Sequence, residues 1–309
     1  LLNNSILLES LRPFNDLGFV PTMGGIHKGH LSLINKSKNL CKKTVVSIFL
    51  NPKQFNNKKD FKSYPRNIKK DLQILKKSKK VDFVYLPKFA DIYEDNKRSK
   101  IKLNKKDKIL CAKYRKDHFE GVLDVMNRLT KIINPQKIFM GEKDFQQLYL
   151  VKNFLEKKYK TKIIPCKTIR DKNKIALSSR NILLNSINYI SAGKIYNELI
   201  NIKKRINVKK NISEFLKYQK KQLEINFKVK IDYLEFRNIK NFKLSKKNKN
   251  SRLFIAYYLN NVRLIDNIWN YKKYAPTPKK ETKPITSVIV VTKTLDAIAG
   301  SIFIFFNVN

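Results

Sequence analysis

Acidic residues are scarce in this 309-residue chain: 24 Asp and Glu face 67 Lys and Arg, a formal net charge of +43. A cationic field of that size favours anionic partners such as phosphates, nucleic acid or a membrane surface, and by itself chooses none of them. Glycine and proline are also few, while Lys, Asn and Ile abound. That is the pattern expected when biased codon usage fills solvent-facing positions, so most lysines read as solvated surface. The run Lys76-Lys77-Ser78-Lys79-Lys80 carries no aromatic residue that could stack on a base, which argues against specific nucleic-acid binding. Cys41, Cys111 and Cys166 are odd in number, far apart and form no CxxC pair. Neither a disulfide framework nor a zinc site is indicated, and a reducing, cytoplasmic setting fits. The chain opens on Leu1-Leu2 without a basic region followed by a long apolar core, so no secretory signal is expected. The one extended apolar stretch, from Ile285 to Val308, is interrupted by Lys293 and Asp296, a poor match to a membrane span.

What is present is an alternation of short apolar runs and helical patterns. Leu17 to Pro21, Val45 to Leu50, Val81 to Leu86, Lys137 to Gly141 and Lys162 to Cys166 are near-continuous runs rich in β-branched and aromatic residues, as in buried parallel strands. Gly29 to Leu40 sets Leu31, Ile34 and Ser37 on one helical face, and Phe119 to Ile133 does the same for Val122, Val125, Met126, Leu129 and Ile133. The predicted fold class is α/β: a Rossmann-like, doubly wound parallel sheet whose ligands bind at the carboxyl ends of its strands. Beyond Arg180 a Lys-rich helical stretch from Ile187 to about Asn226 precedes strand-like Ile231 to Phe236, Leu253 to Leu259 and Val262 to Ile268. This predicts a smaller α+β domain. The expected division is residues 1–175, a nucleotide-binding domain; 176–270, a small C-terminal domain; and 271–309, a linker with an extra strand, interface element or disordered appendage.

Four motifs stand at strand ends. In Pro21-Thr22-Met23-Gly24-Gly25-Ile26-His27-Lys28-Gly29-His30 a strand runs through a Gly-rich turn into a helix. Backbone N–H groups at such a helix start attract phosphate, and His27 and His30 can donate to phosphate oxygens as charge builds on them. A metal reading is weak, since His118 is the only other imidazole and no carboxylate cluster lies near. Asn51-Pro52-Lys53-Gln54-Phe55 follows the second strand, where the Gln54 amide can both donate to and accept from a small hydroxy acid. Alone, it reads equally well as a Pro-containing loop. Tyr64-Pro65-Arg66 follows, as a simple turn. In Gly141-Glu142-Lys143-Asp144-Phe145-Gln146-Gln147-Leu148, Lys143 can neutralise phosphate, Asp144 can accept from ribose hydroxyls, and Gln147 lies a turn further along the same cleft. Leu177-Ser178-Ser179-Arg180-Asn181 offers two hydroxyls and a guanidinium, a compact phosphate clamp.

Taken together, in this order, the motifs resemble the pantothenate synthetase family of HxGH nucleotidyltransferases, from about Gly18 to Ile268. The resemblance implies an enzyme, usually a homodimer, that joins pantoate to β-alanine with ATP and Mg²⁺, the metal held through the ATP phosphates rather than by protein ligands. It implies that His27, His30 and Lys143 are catalytic. Met23, His30, Gly141, Lys143, Asp144, Leu177, Ser178, Ser179 and Arg180 would bind ATP, and Gln54, Gln147 and Met23 would bind pantoate. Arg115 and His118 match a site whose usual form is Arg-Pro-Gly-His, but the chain reads Arg115-Lys116-Asp117-His118, replacing a tight turn with two charged residues. Lys28 stands where the family often has an acidic residue. Two other readings compete. A different HxGH adenylyltransferase has no reason to carry the Gln54 and Gln147 pair. A basic nucleic-acid-binding protein would bind with steep salt dependence and no sequence preference.

Overall fold

The computed structural model describes residues 9, 11, 13–93, 101–206, 209, 211–247, 249–269 and 302–305. Strands β1 (Leu17–Thr22), β2 (Lys43–Ile48), β3 (Phe83–Leu86), β4 (Lys137–Gly141) and β5 (Lys162–Cys166) form one sheet in the order β5-β4-β1-β2-β3, all parallel. The chain winds outward from β1 to β3, then crosses back to place β4 on the other side of β1. The direction of winding therefore reverses between β1 and β4, and the carboxyl ends at such a reversal are where doubly wound sheets bind their ligands.

Helix α1 (Lys28–Leu40) follows β1 and buries Leu33, Ile34 and Ser37. The expected face is shifted: Leu33 takes the buried place assigned to Leu31, which packs partly buried at the cluster's margin. Contact with β1 is close. A Cβ on Gly18 would lie 2.2 Å from Ser37 Oγ and 3.1 Å from Phe139, so only glycine lets the helix approach. Helix α2 (Ile68–Ser78), capped by Asn67, buries Leu75 and Asp71 and ends at Lys79 with φ 52°. Its sequence shows mainly its lysines, which are indeed solvent-facing. Helix α3 (His118–Ile133) buries the predicted stripe Val122, Val125, Met126, Leu129 and Ile133. Helix α4 (Phe145–Lys158) follows β4.

A second group of elements comprises helices α5 (Ser186–Ile206) and α6 (Ile212–Phe227) and the antiparallel meander β6 (Lys230–Asn238), β7 (Ser251–Leu259) and β8 (Val262–Trp269). The Lys-rich helical stretch expected from Ile187 to about Asn226 divides into two helices. Asn211 accepts the backbone N–H of Glu214 and starts a new one, an N-cap that a polar, Lys-rich composition hides. Ile195, Leu199, Ile202, Leu216 and Leu223 from the helices pack on Ile231, Phe236, Leu253, Ile255 and Tyr257 of the sheet.

The chain divides into two compact units, Leu1–Ile169 with Thr286–Asn309, and Arg170–Ile285. Arg170 goes with the second unit because its guanidinium pairs with both oxygens of Asp266 on β8, at 2.7 and 2.8 Å, and lies 4.1 Å from the Tyr196 ring centre. Strand β9 (Ile302–Phe305), in the apolar C-terminal stretch, pairs antiparallel with β3 at the edge of the large sheet. The linker-like segment Tyr274 to Lys280 lies outside the described residues. Among the described residues no helix is long and apolar enough to cross a membrane.

Candidate active site

The turn after β1 is built by backbone conformation that only glycine adopts freely. Gly24 and Gly25 have φ of 84° and 64°, in the left-handed region. Thr22 Oγ1 donates to Ser47 O at 2.7 Å and accepts from Gly24 N at 3.3 Å, tying the turn to β2. Below it, the buried Asp71 of α2 accepts from Gly25 N at 2.9 Å and Ile26 N at 2.7 Å. Asp71 escapes sequence reading because it sits among lysines on a helix 45 positions from its partner. The signal available was an acidic residue on the apolar face of an amphipathic pattern, beside Leu75.

His27 caps α1. Its Nδ1 accepts the N–H of Gly29 at 3.0 Å, and Nδ1 of His30 accepts the N–H of His27 at 3.4 Å. Backbone N–H groups only donate, so neither Nδ1 carries a proton, and a neutral ring in each case keeps its hydrogen on Nε2. The rings stack with centroids 4.1 Å apart. Burial, then the nearby Lys143 ammonium, lowers His27 to about 4. Burial, then the His27 ring and Lys143, lowers His30 to about 3. Both are therefore neutral Nε2–H donors at pH 7. Lys143 reaches them from the short helical turn Glu142–Asp144 after β4, where its ammonium also lies 3.4 Å from Asp144 Oδ1. A Cβ built on Gly141 meets nothing within 4 Å, so the end of β4 faces open space in which a ligand can approach the backbone.

On the β2 side the loop after the strand makes a helical turn, Pro52–Gln54, capped by Asn51. Gln54 is buried, with its Nε2 2.6 Å from Met23 Sδ on the β1 turn. Its backbone carbonyl oxygen meets His118 Nδ1 at 2.6 Å, and His118 Nε2 meets Arg115 Nη1 at 3.0 Å. The predicted Arg115 and His118 therefore join the Gln54 loop. The Lys116-Asp117 departure is accommodated because Asp117 takes the left-handed conformation, φ 59°, which Asp tolerates better than most residues. Tyr64 is buried edge-on against Phe55, centroids 5.8 Å apart, and so acts as packing beneath this loop.

These contacts form two groups: Met23, Gln54, His118 and Arg115 around the loop after β2, and His27, His30, Lys143 and Asp144 after β1 and β4, with the turn from Met23 to His27 carrying one member of each. Gln147 lies in the first turn of α4, partly exposed. Its neighbour Gln146 is the buried one, donating from Nε2 to Ile109 O at 2.8 Å and Asp107 O at 3.2 Å, which anchors the segment ahead of Arg115. Leu177, Ser178, Ser179 and Arg180 belong to the other compact unit. There Ser178 caps the helical turn Ser179–Leu183 by accepting from Arg180 N at 3.3 Å. Among the described residues no group of three His, Cys, Asp or Glu side chains could hold a metal ion.

A family model described as pantoate-beta-alanine ligase matches residues 4–269. The pantothenate synthetase of Flavobacterium psychrophilum is 40% identical over 267 residues, covering 84% of this chain and 94% of that protein. That of Helicobacter pylori strain G27 is 38% identical over 258 residues, covering 82% and 92%. Among solved structures, pantothenate synthetase from Thermus thermophilus superposes with a TM-score of 0.80 at 28% identity, covering 87% of this chain and 98% of that one. The pantoate-beta-alanine ligase of Francisella tularensis, complexed with beta-gamma ATP and beta-alanine, gives 0.73 at 36% identity over 86% and 95%. With the family model spanning both the sheet that carries the paired histidines and the meander after it, the chain belongs to the pantoate-beta-alanine ligase family.

Proposed function

We propose that the chain condenses pantoate with β-alanine, using ATP and releasing AMP and pyrophosphate, through a pantoyl-adenylate intermediate. The observation that carries this reading is the stacked pair His27 and His30, neutral and donating from Nε2, beside the Lys143 ammonium at the start of α1. Such a set suits a polyphosphate that gains negative charge as it departs. In the first step a pantoate carboxylate oxygen bonds to the α-phosphorus while the bond from that phosphorus to the pyrophosphate oxygen breaks. His27, His30 and Lys143 stabilise the leaving group. In the second, the β-alanine amine attacks the acyl carbon, AMP departs with the bonding pair, and the amine loses a proton. No side chain forms a covalent bond, so orientation and exclusion of water supply most of the rate.

Gln54, Gln147 and Met23 would hold pantoate, and Gly141 and Asp144 the ribose. We assign phosphate contacts to Leu177, Ser178, Ser179 and Arg180 on the family resemblance alone, and a lid role to the unit that carries them. Arg115 and His118 would support the Gln54 loop. The Nε2–H and ammonium donors fit phosphate rather than a bare metal, so Mg²⁺ would enter on the ATP phosphates and supply charge neutralisation there. A homodimer in the cytoplasm completes the proposal. The test is pyrophosphate release measured with ATP, pantoate and β-alanine omitted in turn. Release should require both ATP and pantoate, and AMP-forming turnover should require all three. Release without pantoate would sink the reading.

A further inference from the structure

A carboxamide has two unlike ends, and which one faces a ligand determines what it recognises. Gln54 Oε1 lies 3.4 Å from Asn51 Nδ2, leaving Nε2 to point toward Met23. Asn51 is itself fixed. Its Oδ1 accepts from the Tyr93 hydroxyl at 3.0 Å and the Lys53 backbone N–H at 3.2 Å, while Nδ2 also donates to Gly121 O at 3.1 Å. Turning this amide over would set two donors against an N–H₂ and two acceptors against an oxygen. Gly121 is required at the contact, since a Cβ there would lie 2.3 Å from Lys53 O. Tyr93 is only 2% exposed. Its ring has Lys53 Nζ 3.8 Å from its centre and the Arg128 guanidinium 4.8 Å from it, and Arg128 is held by Asp124 at 3.0 Å and Ile92 O at 3.1 Å. Burial, then the Asp124 charge, raises the Tyr93 phenol well above its ordinary range, so it stays a donor at working pH.

We propose that Tyr93 is a positioning residue for substrate recognition: its hydroxyl locks the Asn51 amide, which turns Gln54 so that the pocket presents an N–H₂ donor to an oxygen of the hydroxy acid. The inference rests on Gln54 being a pantoate ligand. Tyr93→Phe keeps the ring between its two cations and removes only the O–H. The pantoate KM should rise about fivefold, the worth of one buried hydrogen bond, with the ATP KM unchanged. In a Gln54→Ala background, where nothing remains to be oriented, adding Tyr93→Phe should change the pantoate KM by less than about twofold. An unchanged pantoate KM in Tyr93→Phe, alongside a raised one in Gln54→Ala, would overturn the relay while leaving the role of Gln54 intact. An unchanged KM in Gln54→Ala would overturn both. A lowered melting temperature with equal losses toward ATP and pantoate would mark Tyr93 as merely structural, and overturn the proposal as well.

Discussion

Asp71 Oδ1 accepts the backbone N–H of Ile26 at 2.7 Å while its Oδ2 accepts that of Gly25 at 2.9 Å, so one buried carboxylate on α2 holds the turn that delivers His27 and His30. Glycines 24 and 25 make the turn possible, and Asp71 selects one conformation from the many they allow.

Asp71→Asn tests that relationship. An amide offers one acceptor and sets an N–H₂ against the second backbone donor, so the turn should loosen. Stability should fall by about 1.5–3 kcal/mol, the range for a buried hydrogen bond to a charged group. Pantoate-dependent pyrophosphate release should fall at least about tenfold, since a loosened turn misplaces its donors. Near-normal values for both in a urea titration and a release assay would contradict the role given to Asp71.

Removing one imidazole should cost rate without unfolding the protein. His30→Ala is expected to lower pyrophosphate release by roughly 10²–10³-fold, the loss typical of one transition-state donor. A circular dichroism spectrum should stay unchanged. Release within about threefold of the parent, well below that range, would show that His30 does not serve the leaving group.

The paired histidines also set a pH dependence of folding. Folded-state values of about 4 for His27 and about 3 for His30 lie below the ordinary 6.5. Between those values and pH 6.5 the unfolded chain binds more protons than the folded protein, so stability rises with pH through that window and is level above it. The urea midpoint should drop between pH 7 and pH 5, and drop less in a His27→Asn, His30→Asn double variant. Equal drops in both proteins would refute the shifts.

Breaking the bidentate pair at the start of the second unit should be costly. Asp266→Ala leaves the Arg170 guanidinium partly buried without its carboxylate, and the loss should approach 3–5 kcal/mol, reduced somewhat by the solvent that reaches Arg170. Denaturant unfolding followed by the fluorescence of Trp269, further along β8 from Asp266, would report it. A loss under about 1 kcal/mol would reclassify the pair as a surface ion pair.

Calorimetric titration with pantoate probes the β2 side. Gln54→Ala should weaken pantoate binding about tenfold or more, because the pocket loses the buried N–H₂ donor that faces the hydroxy acid. Unchanged affinity would remove Gln54 from the substrate site.

Much of this molecule is legible in its sequence. Short apolar runs mark strands, so β4 and β5 match their predicted limits, although β5, at the sheet edge, exposes Lys162 and Pro165 rather than burying both faces. The stripe on α3 reports its buried side through a period of 3.6. Strand-end motifs name a ligand-binding edge. The position of the α5–α6 break is hard to read locally, because lysines flank both helices and a single Asn cap carries the signal. The Asp117 turn was readable only as a departure, since nothing in Lys116-Asp117 announces a left-handed residue.

By itself the sequence determined which residue types stand at which strand ends, and therefore what chemistry is available: imidazoles after β1, a carboxamide after β2 and an ammonium after β4. Tertiary structure decided how those groups are held. That Asp71 reaches the Gly25 turn, that Tyr93 fixes Asn51, and that Lys143 helps to keep two histidines neutral depend on elements tens of residues apart. The reason is physical. Periodicity and capping are local and leave marks on neighbouring positions, whereas a hydrogen bond or a pKa depends on whichever groups folding brings within a few ångströms, and no local pattern encodes that distance.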